Sequence, residues 1–92
     1  MKTIYLLKSA LNPLEQGMKD SPWVHTWDCA YGFVICADAG FQGQMDARAL
    51  AAEEHGDEGK DTWMDSKLTS CEIVGVSDSL KDEIILRDFC NG

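Results

Sequence analysis

Acidic side chains form the most chemically suggestive group in this sequence, because they are concentrated in one segment. Between Asp46 and Asp65 the chain has seven acidic and two basic residues, a net charge of −5 out of −8 for all 92 residues. Carboxylates spaced along a helix end and a loop can imitate a row of phosphates and attract a basic groove. The alternative interpretation is an ordinary solvated surface, which is the commonest role of such charges.

We predict that a partner-binding surface is formed by the acids of this segment, with one tryptophan as a desolvated anchor. The predicted residues are Glu53, Glu54, Asp57, Glu58, Asp61, Trp63 and Asp65. Tryptophan is enriched at the energetic centres of interfaces, and its alternative role is to fill a small core. Acidic residues near the C-terminus of a helix are disfavoured by the helix dipole. Their presence there despite this cost favours a functional role such as partner binding.

Metal-binding and catalytic sites are not predicted. The loop carboxylates lack the alternating ligand order of a calcium-binding EF-hand. A zinc site built on His25, His55, Cys29 and Cys36 would not converge, since the two cysteines have opposite parity on a predicted strand. Nucleophile motifs and phosphate-binding loops are missing, so an enzyme would have to bring Asp28 and Asp38 together in a cleft. We therefore predict a non-enzymatic protein without a cofactor.

The net charge of −8 and the isoelectric point near 4.4 restrict the class of partner. Nucleic acid and anionic membranes would repel such a chain, whereas a basic protein surface would attract it. An alternative function is a sponge for a small nucleotide-like signal, which would need Arg48 or Arg87 to bind phosphate. Without such a ligand, Arg48 is expected to pair with a nearby acid.

The lack of a secretory signal and of a membrane-spanning stretch predicts a cytoplasmic protein, and this location in turn predicts the state of the cysteines. The apolar run at residues 4–7 is too short for a secretory signal, and no stretch approaches the length of a membrane span. In the cytoplasm the four cysteines would be reduced, and their spacing contains no CxxC pair. We expect small buried side chains, with a disulfide or a redox role as the alternative. The cysteines are Cys29, Cys36, Cys71 and Cys90.

The elements that position these residues follow from the hydrophobic pattern. Apolar side chains on both faces of residues 3–8 and 28–38 predict strands, the second of them central in a sheet. Residues 42–55 are rich in alanine and straight-chain residues and predict a helix, which Gly56 would end in a left-handed conformation. Two further strands are predicted at residues 68–77 and 84–89, on either side of a polar turn.

These elements give a single α+β domain over residues 1–92 with the order β-β-α-β-β, in which one helix packs on one face of an antiparallel sheet. Residues 11–27 contain Pro13, Gly17 and Pro22 and predict a long irregular loop, which carries Trp23 and Trp27. Residues 56–67 predict a second, acidic loop. Because one helix covers only one face, the loop at 11–27 or a second copy of the chain is expected to cover the other.

Several short motifs resemble those of a group of small uncharacterised proteins from phages, prophages and bacteria. The motifs are WDCAYGFVICAD, ARALAAEEHGDEG, LTSCEIVG and IILRDFCNG, which together span about residues 27–92. The resemblance implies a fold rather than an activity, and the helix start QGQ departs from the acidic residues expected there. In size, charge and lack of catalytic motifs the chain is also similar to phage anti-defence proteins, including anti-CRISPR inhibitors. That similarity implies an inhibitor that binds a defence protein in the host cytoplasm and blocks its nucleic-acid groove.

Overall fold

The computed structural model describes residues 1–9 and 28–90 and shows an α+β architecture, as the hydrophobic pattern predicts. These described residues form four strands and two helices. They are β1 (Lys2–Ser9), β2 (Cys29–Ala37), α1 (Gly40–Glu53), α2 (Lys60–Met64), β3 (Thr69–Ser77) and β4 (Glu83–Cys90). The loop predicted at 11–27, with its two tryptophans, lies outside the described residues.

The four strands form one antiparallel sheet in the order β3-β1-β2-β4. β1 and β2 are central, which accounts for the apolar residues on both of their faces. Each predicted strand is confirmed to within one residue at either end, and the predicted helix to within two. Over the described residues the element order is β-β-α-α-β-β instead of the predicted β-β-α-β-β, because residues 60–64 of the predicted acidic loop form α2.

The core lies between the sheet and the two helices. Register pairs Tyr5 with Ile35 and Leu7 with Phe33, so these four side chains share one face, and all are buried. Ala47 and Ala51 of α1 and Trp63 of α2 pack against them. The small alanine side chains let α1 lie close to the sheet, as the alanine-rich stripe predicts.

Gly56 and Gly59, between α1 and α2, have different roles from the one predicted, in which Gly56 ends α1 in a left-handed conformation. α1 ends at Glu53 with Glu54 as its C-cap, and Gly56 does not have the left-handed conformation that was predicted. A Cβ atom at Gly56 would lie 2.1 Å from the carbonyl oxygen of Asp28, so glycine is required there by contact with the start of β2. Gly59 instead has a positive φ of 87° and directly precedes α2.

The face of the sheet opposite the helices carries Ile4, Leu6 and Val34, which are half-buried, and Leu86, which is 63% exposed. A shallow cavity of about 180 Å³ lies on this face, next to Leu6, Val34 and Leu86. The prediction that the loop at 11–27 covers this face concerns residues outside those described, and the alternative of a second copy stays a prediction.

Candidate interaction surface

Four of the seven predicted partner-binding residues lie on the outside of the molecule, around the connection between α1 and α2. Glu53 is the last residue of α1, Glu54 follows it, Asp57 lies in the connection and Asp61 is in the first turn of α2. All four are exposed. We call these four residues the acidic surface. They lie within nine consecutive residues, from the last residue of α1 to the first turn of α2.

Glu58 was predicted to belong to this surface, and the structure places it inside the molecule with 5% of its surface exposed. Its Oε1 atom accepts hydrogen bonds from the backbone N–H groups of Ala30 (3.0 Å) and Gly56 (2.9 Å). Its Oε2 atom accepts a hydrogen bond from the indole N–H of Trp63. A buried carboxylate is tolerated when it accepts several hydrogen bonds, so Glu58 joins β2, the connection and α2.

Trp63 was predicted to be the anchor for a partner, and it is fully buried. Its ring meets Phe33 edge to face, with centroids 4.9 Å apart and an interplanar angle of 84°. The indole therefore fills the core, which was the alternative interpretation of this tryptophan. Because the side chains of Trp63 and Glu58 are used inside the fold, they are not available to a partner, and this part of the prediction is wrong.

Asp65, the last predicted residue, is half-buried and organises the turn between α2 and β3. Its Oδ1 atom accepts a hydrogen bond from the N–H of Lys67 at 2.8 Å, and its carbonyl oxygen accepts from the N–H groups of Leu68 and Thr69. A short aspartate side chain commonly closes such turns. Asp65 is therefore used in this turn, and its part in binding a partner stays a prediction.

Arg48 has a structural role inside the molecule that was not predicted from the sequence. It is buried in α1, where its Nη1 atom donates to the carbonyl oxygen of Trp63 (3.0 Å) and to the hydroxyl of Thr69 (2.6 Å). Its Nη2 atom donates to the carbonyl oxygen of Thr69 at 3.1 Å. The expected acidic partner is replaced by neutral oxygens, and the guanidinium joins α1 to the end of α2 and the start of β3. Its burial could have been inferred from its position in the helix, next to Ala47 and one turn before Ala51, which belong to the predicted apolar stripe.

The second arginine invoked for a phosphate ligand, Arg87, lies on β4 and is directed to the acidic surface. Its Nη2 atom is 3.4 Å from Oε1 of Glu54, and both side chains are about half exposed. Arg48 is engaged in the core, so of the two predicted phosphate ligands only Arg87 lies on the surface, where a phosphate would compete with Glu54. The cavity on the sheet face opposite the helices, about 180 Å³ among the described residues, is smaller than the roughly 300 Å³ typical of the smallest ligand sites.

The acidic surface is only slightly neutralised by the rest of the described chain. Glu54 is paired with Arg87, whereas no ion pair within the described ranges involves Glu53, Asp57 or Asp61. The last turn of α1 contains no basic residue. Glu53 therefore faces the negative end of the helix dipole without compensation, which is locally unfavourable.

Asp28 and Asp38, the carboxylates that a catalytic site would have required, do not converge. They flank the nine-residue strand β2, one at each end, so roughly 30 Å of extended backbone separates them. Asp38 pairs with Lys2 at 2.7 Å, and Lys2 also contacts Asp82 at 2.9 Å. Hydrogen bonds to Asp38 and Asp82 raise the pKa of Lys2 from 10.5 to about 12. These three residues form an ion-pair group at one end of the sheet.

Within residues 1–9 and 28–90, no three metal-ligating side chains come together. The Glu58 carboxylate is occupied by three N–H donors, and the Nδ1 atom of His55 lies 2.8 Å from the carbonyl oxygen of Gly56. His25 lies outside the described residues. No helix in the described part of the chain has the length and apolar character needed to cross a membrane.

No protein-family model, curated protein or solved structure matches this chain. The motif resemblance to small phage and bacterial proteins therefore stays a prediction from the sequence.

Proposed function

We propose that this protein is a non-enzymatic interaction domain whose acidic surface binds a basic surface of another protein. The observation that supports the proposal is the exposure of Glu53, Glu54, Asp57 and Asp61 around the connection between α1 and α2. Among the described residues, one ion pair offsets these charges. Such a group creates a local negative potential that accelerates and orients association with a positive partner.

The acidic surface is also held in a defined shape. Glu58 fixes the connection from below through three hydrogen bonds, and Arg48 fixes the end of α2. A surface that is ordered before binding loses less conformational entropy when a partner docks. The buried residues of the acidic segment therefore support its exposed residues.

The partner that we propose is the nucleic-acid groove of a host defence protein, so that the chain acts as a phage-encoded inhibitor of the anti-CRISPR type. A groove that binds phosphates is the kind of basic surface that a group of exposed carboxylates complements. The motif resemblance to phage and prophage proteins and the small size of the chain support this choice of partner.

The proposal is tested with purified CRISPR effector–guide complexes of several types and a fluorescent target DNA. We expect one of the complexes to lose DNA binding, measured by fluorescence anisotropy, as about one equivalent of the protein is added. The triple variant Glu53→Lys, Asp57→Lys, Asp61→Lys should weaken this competition at least about tenfold, because the interaction becomes repulsive.

The matched control is the triple variant Glu72→Lys, Asp78→Lys, Asp88→Lys, which makes the same change in charge at exposed positions elsewhere. It should compete nearly as well as the parent protein. Equal effects of the two triple variants would contradict a role for the acidic surface. Unchanged DNA binding by every complex in the panel would contradict the anti-CRISPR assignment.

A further inference from the structure

Two of the four cysteines stand opposite each other in the sheet. Cys29 begins β2 and Cys90 ends β4, and the antiparallel register pairs their backbones directly. The other two cysteines have different cross-strand neighbours: Cys36 is paired with Ile4 and Glu83, and Cys71 with Leu7. The described sheet therefore singles out one cysteine pair, although the two residues are 61 positions apart in the sequence.

The backbone geometry of such a pair suits a disulfide. Directly opposed residues of antiparallel strands have Cα atoms about 4.5–5.5 Å apart. A disulfide requires a Cα separation of about 4.4–6.8 Å, and the range expected for an opposed pair of this kind lies within it.

We propose that Cys29 and Cys90 form a reversible disulfide that joins the end of the edge strand β4 to the central strand β2. The oxidant is a low-molecular-weight disulfide such as oxidised glutathione. One protein thiolate attacks it, forming a mixed disulfide and releasing one glutathione thiolate. The second protein thiolate then displaces the second glutathione. Two electrons pass from the protein to glutathione, and the two protons lost by the cysteines are taken up by the two released thiols.

The surroundings of Cys29 make this reaction slow in the folded protein at neutral pH. Its side chain is fully buried. Burial raises the pKa of the Cys29 thiol, and the negative charges of Glu58 and Asp57 raise it further. Because exchange requires the thiolate, the rate of disulfide formation should increase with pH. Local opening of β4, an edge strand, would give the oxidant access.

The bond would also stabilise the fold, since it closes a long loop in the unfolded chain. For a loop of this length we expect Tm to rise by about 10 °C or more on oxidation, and to return to its original value on reduction. The property is separate from the proposed binding function, because it concerns the two thiols and does not require a partner.

The test is to equilibrate the full chain with a series of reduced and oxidised glutathione mixtures and to quench the thiols with acid. Intact mass spectrometry should show a loss of about 2 Da for the two hydrogens removed, and unreduced peptide maps should contain a Cys29–Cys90 cross-linked peptide. This measurement on the parent protein does not depend on the folding of any variant.

Two single variants complete the design. Cys90→Ser should abolish both the mass loss and the gain in Tm, whereas Cys71→Ser should retain both because Cys71 has Leu7 opposite it. The proposal is overturned if no intramolecular disulfide forms at any glutathione ratio. It is also overturned if the cross-linked peptide contains Cys36 or Cys71 in place of either partner.

Discussion

At the scale of single residues, two charged side chains act inside the fold. Glu58 binds three N–H donors and Arg48 binds three neutral oxygen acceptors, and each is almost fully buried. Buried charges are costly unless their hydrogen-bonding groups are satisfied. The two residues therefore secure the position of α2, and their role in any binding is to hold the surface above them.

Replacing Glu58 with glutamine tests this role. The Glu58→Gln variant keeps the size of the side chain, but its NH₂ group would face the indole N–H of Trp63 or a backbone N–H, and two donors cannot bond to each other. We expect the free energy of unfolding to fall by about 1–3 kcal/mol in urea denaturation. Asp57→Asn is the matched control, since it removes the same charge from an exposed neighbour. Equal unfolding midpoints for the two variants would contradict the internal role of Glu58.

The ion-pair group of Lys2 gives a prediction about pH. Because the pKa of Lys2 is raised from 10.5 to about 12 in the folded protein, its ion pairs contribute their full stabilisation below pH 10.5. That contribution is lost as the pH rises to about 12. The difference in Tm between the parent and Lys2→Met should therefore be constant up to about pH 10 and should shrink above it.

Lys8→Met is the control for this measurement. Lys8 lies on the same strand and is exposed, and the ion pairs of the described residues do not include it. Its difference in Tm from the parent should change little over the same pH range. A constant difference for Lys2→Met up to pH 12 would show that the ion pairs do not stabilise the fold.

At the scale of elements, the approach of α1 to the end of β2 depends on one glycine. A Cβ atom at Gly43 would lie 1.5 Å from the carbonyl oxygen of Asp38 and 3.1 Å from the hydroxyl of Tyr5. The same carbonyl accepts a hydrogen bond from the Tyr5 hydroxyl at 2.7 Å. Glycine is unfavourable within a helix, so its presence in α1 reflects this contact.

The variant Gly43→Ala should destabilise the protein although alanine favours the helical conformation. Helix propensity would add roughly 1 kcal/mol of stability, but the contact with a backbone oxygen forces α1 to move. Overpacking typically costs about 1–3 kcal/mol, and an approach of 1.5 Å to a backbone oxygen belongs at the upper end, so we expect a net loss of about 2 kcal/mol in urea denaturation. Gln42→Ala, at an exposed position of the same helix, should stay within about 0.5 kcal/mol of the parent. A Gly43→Ala protein as stable as the parent would show that the helix is not seated as described.

The short helix α2 shows how tertiary contacts determine an element. Its five residues are too few to be stable alone, and they form a helix because Thr62 and Trp63 are buried. The Thr62 hydroxyl donates to the carbonyl oxygen of Glu58 at 2.6 Å, and the carbonyl oxygen of Trp63 accepts from Arg48. Local propensity in an acidic, glycine-containing segment indicates a loop, which explains why the helix was not predicted.

At the scale of the whole molecule, the charge of −8 creates repulsion that the fold must overcome. Much of it is located at the acidic surface, where Glu53, Asp57 and Asp61 have no ion-pair partner in the described part of the chain. Repulsion between exposed charges is screened by salt. Retaining these acids therefore reduces stability at low ionic strength.

We expect Tm to rise by a few degrees when NaCl is increased from about 0.01 M to about 0.5 M, because the Debye length falls from about 30 Å to a few ångströms. The triple variant Glu53→Gln, Asp57→Asn, Asp61→Asn should be more stable than the parent at low salt and should gain less from NaCl. Thermal unfolding followed by circular dichroism provides the measurement. If Tm increases equally with NaCl for the two proteins, charge repulsion at the acidic surface does not destabilise the fold.

The hydrophobic pattern alone determined the strands, the main helix and the α+β class, because burial imposes a period of two on strands and about 3.6 on helices. The concentration of acids was also visible in the sequence. Asp57 and Glu58 are adjacent and carry the same charge, yet one is exposed and the other is buried. Only the tertiary structure separated them, because the donors that turn Glu58 inward come from β2, 28 residues away along the chain, and from the indole of α2. Contacts between distant segments produce no periodic pattern in the local sequence, so they could not be predicted from it. These contacts determine which carboxylates face solvent.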